Sequence, residues 1–271
     1  MWRVKRLRLR GGGRLLSSNR KGFTLAGNVT SIAMLNIQRR FGFTLAEVLV
    51  TLGIIGVVAA LTMPSVIANY QKQETVQRLK KVYTVMSNAI KMSESVNGEM
   101  ADWEFPTSHY DSNFYLFFRK YYTPYLQIAE ECTSANCFKD GKYEIVNIAG
   151  KPTTGIYIAN YFIKLSDGTY LYFLPNTPNG YIWMLADING HKKPNRLGRD
   201  IFVFDIYNYP FHKIRKNYHL KFWCDYKDID TLKNDTNYAC NKNANTPYAG
   251  FNCGALIQKN GWEIPEDYPW K

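Results

Sequence analysis

The sequence lacks the short motifs that accompany common enzyme chemistry. It has no P-loop, no GxSxG or HExxH motif and no glycine pattern for dinucleotide binding. It has four histidines, and their spacing is not that of zinc ligands: His109, His191, His212 and His219. No pair of acidic residues is singled out by its context. The sequence therefore gives no support for catalysis, and we expect a protein that is not an enzyme.

Acidic residues are absent from positions 1–42, which hold ten of the 34 lysines and arginines. The rest of the chain carries 24 basic and 22 acidic residues, so the net charge of +12 belongs almost entirely to this segment. A globular domain that binds nucleic acid would carry its positive charge in the folded body. We therefore do not expect nucleic acid as the primary ligand. With 46% hydrophobic residues over 271 positions, the chain can bury a core.

Charge is also nearly missing from residues 43–63, FTLAEVLVTLGIIGVVAALTM, where Glu47 is the only charged residue. The length of this apolar run matches the roughly 20 residues that a helix needs to cross a bilayer core. Arg39 and Arg40 directly precede the run. By the positive-inside rule they hold the N-terminus in the cytoplasm, so we expect a single membrane span with the rest of the chain outside the cytoplasm.

The hexapeptide GFTLAE, from Gly42 to Glu47, lies between the basic segment and the apolar run. It closely resembles the processing site of type IV prepilins and of the pseudopilins of type II secretion. The resemblance implies that prepilin peptidase cuts between Gly42 and Phe43 and that the new amino group of Phe43 is methylated. It also implies that Glu47 guides assembly, because its carboxylate would pair with the amine of Phe43 on a neighbouring subunit. Pro64, just past the run, adds to the match.

Glu47 separates this interpretation from its main alternative, an ordinary signal sequence cut near Ala59 or Ala60. Such a signal sequence has no need of a charge in its apolar run, and it would make the chain a secreted or membrane-anchored binding protein or enzyme. A prepilin-like protein would have as partners copies of itself, other pilins or pseudopilins, prepilin peptidase, the inner-membrane assembly platform and membrane lipid. It would pass from the inner membrane into a periplasmic or extracellular filament.

Residues 1–42 form a basic leader in this interpretation. The pentapeptide GFTLA occurs at 22–26 and again at 42–46, but only the second copy is followed by a glutamate and an apolar run. Leaders of this family are often short, and a start at Met34 would give a leader of nine residues, MLNIQRRFG. We expect 1–33 to be an upstream extension from a mis-assigned start codon; an unusually long leader is the alternative.

Beyond Pro64 the apolar residues recur at spacings of three and four, which predicts an amphipathic helix packed on a folded body. The predicted buried face consists of Leu79, Val82, Tyr83, Met86, Ala89 and Ile90. Asn97 and Gly98 are typical of a helix C-terminal cap. We therefore expect one long helix with a membrane-spanning half, 43–63, and an amphipathic half, 64–98.

Residues 99–271 are predicted to form a globular head. A short helix is expected over 113–129, broken near Pro124, and Asp167 and Gly168 carry the signal of a two-residue hairpin turn. Strands are predicted at 157–165, 169–173, 181–186 and 201–207. Four strands without intervening helices indicate an antiparallel meander. Laid on the amphipathic half of the helix, this sheet gives an α+β, pilin-like fold.

The loop between the last two predicted strands offers side-chain oxygens from Asp187, Asn189 and Asp200, which are ligands that calcium prefers. Some pseudopilins bind calcium in a loop of their sheet domain, and this resemblance is the main support for a metal here. The basic residues of the loop favour an ordinary turn-rich connection instead. No other cofactor is expected.

All five cysteines fall in the segment predicted to lie outside the cytoplasm, where disulfides form, and no CxxC pair suggests a metal site. Cys132 and Cys137 enclose a small loop, whereas Cys240 and Cys253 enclose an asparagine-rich loop. Many pilins carry a disulfide near the C-terminal end, which makes the second pair the natural candidate by resemblance. Cys224 is left over, and the sequence does not fix the connectivity.

Overall fold

The computed structural model describes residues 42–106, 114–133, 144–153, 161–176, 181–190, 192–207 and 220–270. The helices of this part are α1 (Leu45–Asn97), α2 (Phe114–Tyr121), α3 (Ile229–Asn234) and α4 (Cys253–Lys259), with short 3₁₀ turns at Met100–Asp102 and Thr123–Tyr125. The strands are β1 (Ile128–Cys132), β2 (Phe162–Leu165), β3 (Tyr170–Asn176), β4 (Tyr181–Asp187), β5 (Ile201–Tyr207) and β6 (Leu220–Phe222).

The chain divides within α1 into two compact units, 1–54 and 55–271. The described part of the first unit, 42–54, consists of a short non-helical start and the first turns of α1, with exposed side chains. The second unit contains the rest of α1, the sheet and the other helices. A long N-terminal helix together with a six-stranded antiparallel sheet is the predicted α+β, pilin-like layout.

α1 ends where the sequence predicted. Gly98 follows the last helical residue with a φ of 80°, and its N–H donates to the carbonyl oxygen of Glu94 at 3.1 Å. Glycine adopts this left-handed conformation without strain, so the helix closes there. The helix also runs through Pro64, which lies inside its bounds.

The second half of α1 buries one face, as its spacing predicted. The buried residues are Val76, Leu79, Val82, Met86, Ala89, Ile90 and Ser93, and Tyr83 packs against the same core. They meet residues of the sheet that include Leu171, Phe173, Met184 and Phe204. The aromatic residues of α2 lie in this core as well, so packing explains them without a ligand.

The sheet follows sequence order from β1 to β6, and every neighbouring pair is antiparallel. The four predicted strands correspond to β2–β5, although the start of the first, 157–160, lies outside the described residues. The prediction missed β1 and extended a helix through its first residues. β1 is an edge strand, and its sequence IAEEC carries two glutamates that have little strand propensity. β6 is only three residues long, below what a pattern can reveal.

The turn between β2 and β3 differs in one detail from the predicted two-residue hairpin. Lys164 pairs with Tyr170, and Leu165 donates its N–H to the carbonyl oxygen of Thr169 at 2.8 Å, so the loop has three residues, 166–168. Gly168 takes a φ of 89° in it. Three-residue hairpin loops place a left-handed residue at this position, which is why the glycine is required.

Both faces of the sheet are covered, and all seven residues of β5 are buried. On the face away from α1, Tyr172, Leu185 and Val203 pack with Leu197 and Phe251. The covering residues come from the loop after β4 and from the C-terminal segment. A strand that is buried on both faces reads as a continuous apolar run rather than an alternating one, as IFVFDIY does.

The packing of α4 on β6 gives a testable prediction about Gly254. A Cβ atom at this position would overlap the ring of Phe222, whereas one at Gly56 in α1 would meet nothing within 4 Å. We expect Gly254→Ala to lower the free energy of unfolding of the head by about 1–3 kcal/mol, because a packed core resists added volume. Gly56→Ala should leave it unchanged. Thermal unfolding followed by near-ultraviolet circular dichroism measures both, and equal melting temperatures would contradict the contact.

Candidate functional site

The peptide bond between Gly42 and Phe43 lies just before α1, in a non-helical segment. Nothing stands within 4 Å of a Cβ atom built on Gly42, and the Phe43 side chain is 88% exposed. A peptidase needs an accessible bond outside a helix. Among the described residues nothing covers this one, so the geometry is compatible with the predicted cleavage.

Thr44 and Glu47 form a capping box at the start of α1. The Thr44 N–H and hydroxyl both donate to Oε2 of Glu47 at 2.8 Å, and the Glu47 N–H donates to Oγ1 of Thr44 at 3.2 Å. The two residues thus satisfy N–H groups that the first turn of a helix leaves without partners. Sequence analysis missed this role of Glu47, although the T-x-x-E spacing is the signal that could have revealed it.

The capping box uses only one oxygen of the Glu47 carboxylate. Oε2 accepts both hydrogen bonds from Thr44, and no donor among the described residues contacts Oε1. The carboxylate can therefore hold the helix start and still accept a further donor.

Most of the apolar side chains of 43–67 are exposed, and α1 is long and apolar enough to cross a membrane. The large exposed ones are Phe43, Leu45, Val48, Leu49, Val50, Leu52, Ile54, Ile55, Val57, Val58, Leu61, Met63, Val66 and Ile67. Soluble proteins bury such a helix or make it amphipathic. The exposed surface is consistent with membrane anchoring.

The structure brings together Asp187, Asn189 and Asp200, the residues considered as calcium ligands. The Asn189 side-chain amide donates to Oδ2 of Asp200 at 3.1 Å, and the Asn195 N–H donates to the same oxygen at 3.0 Å. The Arg196 N–H donates to Oδ1 at 2.5 Å. Both oxygens of Asp200 are therefore occupied by N–H donors, as in a hydrogen-bonded loop.

Burial and hydrogen bonds act in opposite directions on the pKa of Asp200. Removal from water raises the pKa of Asp200, and the N–H donors of Arg196, Asn195 and Asn189 act in the opposite direction. The Asn189 N–H also donates to Oδ1 of Asp187 at 3.2 Å. Within the described ranges no group of three His, Cys, Asp or Glu side chains is arranged to hold a metal ion. Oδ1 of Asn189 and Oδ1 of Asn195 are buried without a hydrogen-bond partner among the described residues, and calcium binding in this loop stays a prediction.

Replacing Asp200 tests the structural role of its carboxylate. In Asp200→Asn an N–H₂ group must face at least one N–H donor, so a buried donor loses its acceptor. We expect the free energy of unfolding to fall by about 1–2 kcal/mol, part of the loss being offset because a buried charge is removed. Glu266→Gln, an exposed change of the same chemistry, is the control. Chemical denaturation measures both variants. An unchanged free energy of unfolding in Asp200→Asn would contradict the structural role of this carboxylate.

Two family models match the chain, one on each side of Pro64. The model of the prokaryotic N-terminal methylation motif matches residues 37–63, which shows the prepilin-type cleavage and methylation motif. A second model, described as a family of unknown function (DUF6613), matches residues 65–271, most of the chain. The chain belongs to the DUF6613 family. No curated protein and no solved structure gives a significant match.

The two matches meet at Pro64, which neither of them includes. The methylation motif indicates a structural rather than a catalytic protein and implies assembly with other pilin-like subunits into polymers. The DUF6613 part begins immediately after the apolar run and contains the whole sheet.

The disulfide expected near the C-terminal end is present in the head. Cys240 and Cys253 form a disulfide, with Cα atoms 5.0 Å apart. Cys132 is disulfide-bonded as well, and its expected partner Cys137 lies outside the described residues. Cys224 is a buried free thiol whose pKa is raised by burial. The Cys240–Cys253 bridge joins the start of α4 to the loop that follows α3.

Proposed function

We propose that the chain is a pilin or pseudopilin, a structural subunit of a type IV pilus or a type II secretion pseudopilus. The observation that carries this proposal is the methylation motif at the exposed start of an apolar helix whose second half enters the core of the head. Prepilin peptidase cuts between Gly42 and Phe43, and the amino group of Phe43 is then methylated. The subunit works by assembly and has no catalytic role.

The membrane holds the precursor through residues 43–63 in a single pass. The apolar side chains of this segment are exposed along its length, and only lipid or other apolar helices would cover them. The basic leader stays in the cytoplasm and the head lies outside it. After assembly the same apolar surface packs against other subunits in a periplasmic or extracellular filament.

Glu47 sets the register of assembly. Cleavage creates a positively charged amine at Phe43, and an apolar surface alone offers no direction for packing. Since Oε2 of Glu47 is held by Thr44, Oε1 remains to accept the amine of a neighbouring subunit. In a low-dielectric setting an ion pair is strong, and a charge left without its partner is costly. Only the packing position that brings the amine and the carboxylate together therefore satisfies both groups.

The proposed partners follow from insertion, cleavage and assembly. They are copies of this chain, other pilins or pseudopilins, prepilin peptidase, the inner-membrane assembly platform and membrane lipid. The charge of the head is nearly balanced, with the basic excess in the leader, so nucleic acid is not proposed as a ligand.

Processing is tested by the intact mass of the mature protein from its native membrane. We expect the mass of residues 43–271 with one added methyl group, because the cut follows Gly42. A Gly42→Asp variant should remain unprocessed and keep its leader. A mature N-terminus near Leu61 would instead identify an ordinary signal sequence and overturn the proposal.

The role of Glu47 is tested with variants that separate its charge from its capping. Glu47→Gln keeps an oxygen for Thr44 but loses the charge, whereas Thr44→Val removes the two hydrogen bonds of the Thr44 hydroxyl and keeps the charge. The backbone N–H of residue 44 can still donate to Glu47 in this variant. We expect Glu47→Gln to reduce the cleaved subunit in sheared filaments by about tenfold, the effect of losing a single favourable pairing. Thr44→Val should assemble much better than Glu47→Gln, and both should be cleaved normally.

The comparison has a clear opposite outcome. If Glu47→Gln assembles like the wild type while Thr44→Val and Glu47→Val fail, the carboxylate acts through the helix cap alone. The proposed pairing with the amine of Phe43 would then be wrong, although the family assignment would stand. Immunoblots of filament and membrane fractions from the native host supply the measurement.

A further inference from the structure

Charge is unevenly distributed along the second half of α1 and the residues that follow it. Residues 72–91 have a net charge of +4 from six charged side chains: Lys72, Glu74, Arg78, Lys80, Lys81 and Lys91. Residues 92–106 have a net charge of −4 and no basic side chain; their acidic residues are Glu94, Glu99, Asp102 and Glu104. A basic stretch of α1 is therefore followed directly by an acidic end of equal and opposite charge.

Two lysines of the basic stretch, Lys80 and Lys91, are exposed on one side of α1. They are eleven residues apart, which is close to three helical turns, so they lie on the same side of the helix. Neither has an ion-pair partner in the described part of the chain, and the ammonium of Lys80 lies 5.8 Å from the centre of the Trp262 ring. Two other basic side chains are paired within the subunit: Arg78 with Glu74, and Lys81 with Asp167. We call Lys80 and Lys91 the cationic face.

The acidic end presents two exposed carboxylates, Glu99 and Asp102, just beyond the last residue of α1. Among the described residues neither of them has an ion-pair partner. The backbone that carries them is held in place, because Nε1 of Trp103 donates to the carbonyl oxygen of Gly98 at 2.9 Å and the Asp102 N–H donates to the carbonyl oxygen of Glu99 at 2.9 Å. The two carboxylates therefore stay at the end of the helix.

A second copy of this chain has the charges that both surfaces need. Two copies packed in parallel and in register would place each cationic face beside another and each acidic end beside another, where like charges repel. Lys80 and Glu99 are 19 positions apart in the sequence, or about 28 Å along a helix at 1.5 Å per residue. Moving one copy along α1 by about this distance brings the acidic end of one subunit beside the cationic face of the other.

We propose that in the assembled filament the acidic end of one subunit contacts the cationic face of another copy that is displaced by about 28 Å along α1. This inference rests on the proposed assembly of the chain through α1. Glu99 and Asp102 of one copy face Lys80 of the other. Exposed ion pairs are individually weak, so the contact selects the offset between copies and adds little to the affinity that the apolar helices supply.

Zero-length crosslinking with a carbodiimide tests the contact in filaments sheared from the native host. The reagent joins a lysine to a carboxylate only when the two side chains touch. Within one chain Lys80 and Glu99 are about 28 Å apart along α1, so an amide bond between them has to join two copies. We expect peptide mass spectrometry to find Lys80 linked to Glu99 or Asp102 in filaments and not in the membrane fraction. Filaments in which neither link forms would overturn the proposal.

Charge exchange tests whether the two surfaces meet each other. Lys80→Glu should reduce the subunit in sheared filaments about fivefold, because a weak attraction becomes a repulsion of similar size. Glu99→Lys combined with Asp102→Lys should have the same effect, and all three substitutions in one chain should restore most of the filaments. Lys259→Glu, the same charge change at an exposed position of α4, is the control and should assemble like the wild type. A triple variant that assembles no better than Lys80→Glu would contradict the contact.

The outcomes separate this contact from the proposed function. Filaments that contain the wild type and Lys80→Glu in equal amounts, without the expected links, would leave the pilin assignment intact and remove only the contact. Links from Glu99 and Asp102 to a different protein would assign the acidic end to that protein and overturn the role of a second copy. A wild-type chain that is never found in a filament would overturn both the contact and the proposed function.

Discussion

The structure depends on one helix that has to meet two different surroundings. In its first part α1 is apolar on every side, and no single sheet could cover such a surface. Past Pro64 the apolar residues narrow to one face, and that face forms one wall of the core. The change from an all-round to a one-sided apolar surface thus decides which residues fold with the head and which need a lipid or protein partner. The two family matches divide the chain at the same place.

Several carboxylates in the described part of the chain accept hydrogen bonds from backbone N–H groups. Glu47 accepts from Thr44 at the start of α1, and Asp228 accepts the N–H of Thr231 at 2.9 Å at the start of α3. Asp200 fills the same need in the loop after β4. In each case the N–H groups of a turn or helix start would otherwise lack acceptors. In the loop after β4 the carboxylate of Asp200 is thus engaged, whereas Oδ1 of Asn189 and Oδ1 of Asn195 are buried without a hydrogen-bond partner among the described residues.

Much of the fold could be predicted, because α1 and β2–β5 have clear periodicity or long apolar runs. The elements that were missed lack such a signal. The two glutamates of β1 are unfavourable for a strand, and β6 is too short to show a pattern and forms by pairing with β5. The motif was visible in the sequence and predicts the processing site. The structure was needed to show that Thr44 engages a single oxygen of Glu47. The contact between Arg78 of α1 and the carbonyl oxygen of Ile188 could not be found from sequence, since the two residues are 110 positions apart.

The C-terminal segment closes the core, and this determines when the head can fold. Residues 220–270 supply β6, cover part of the second face of the sheet and end with Trp270, which is 9% exposed beside Arg199. Tyr268 donates its hydroxyl to the carbonyl oxygen of Gly198. In the topology proposed above, the anchor enters the bilayer long before these residues have crossed it. The apolar faces of β3 and β5 would then stay uncovered until translocation is nearly finished, and a chaperone outside the cytoplasm would have a partly folded intermediate to bind.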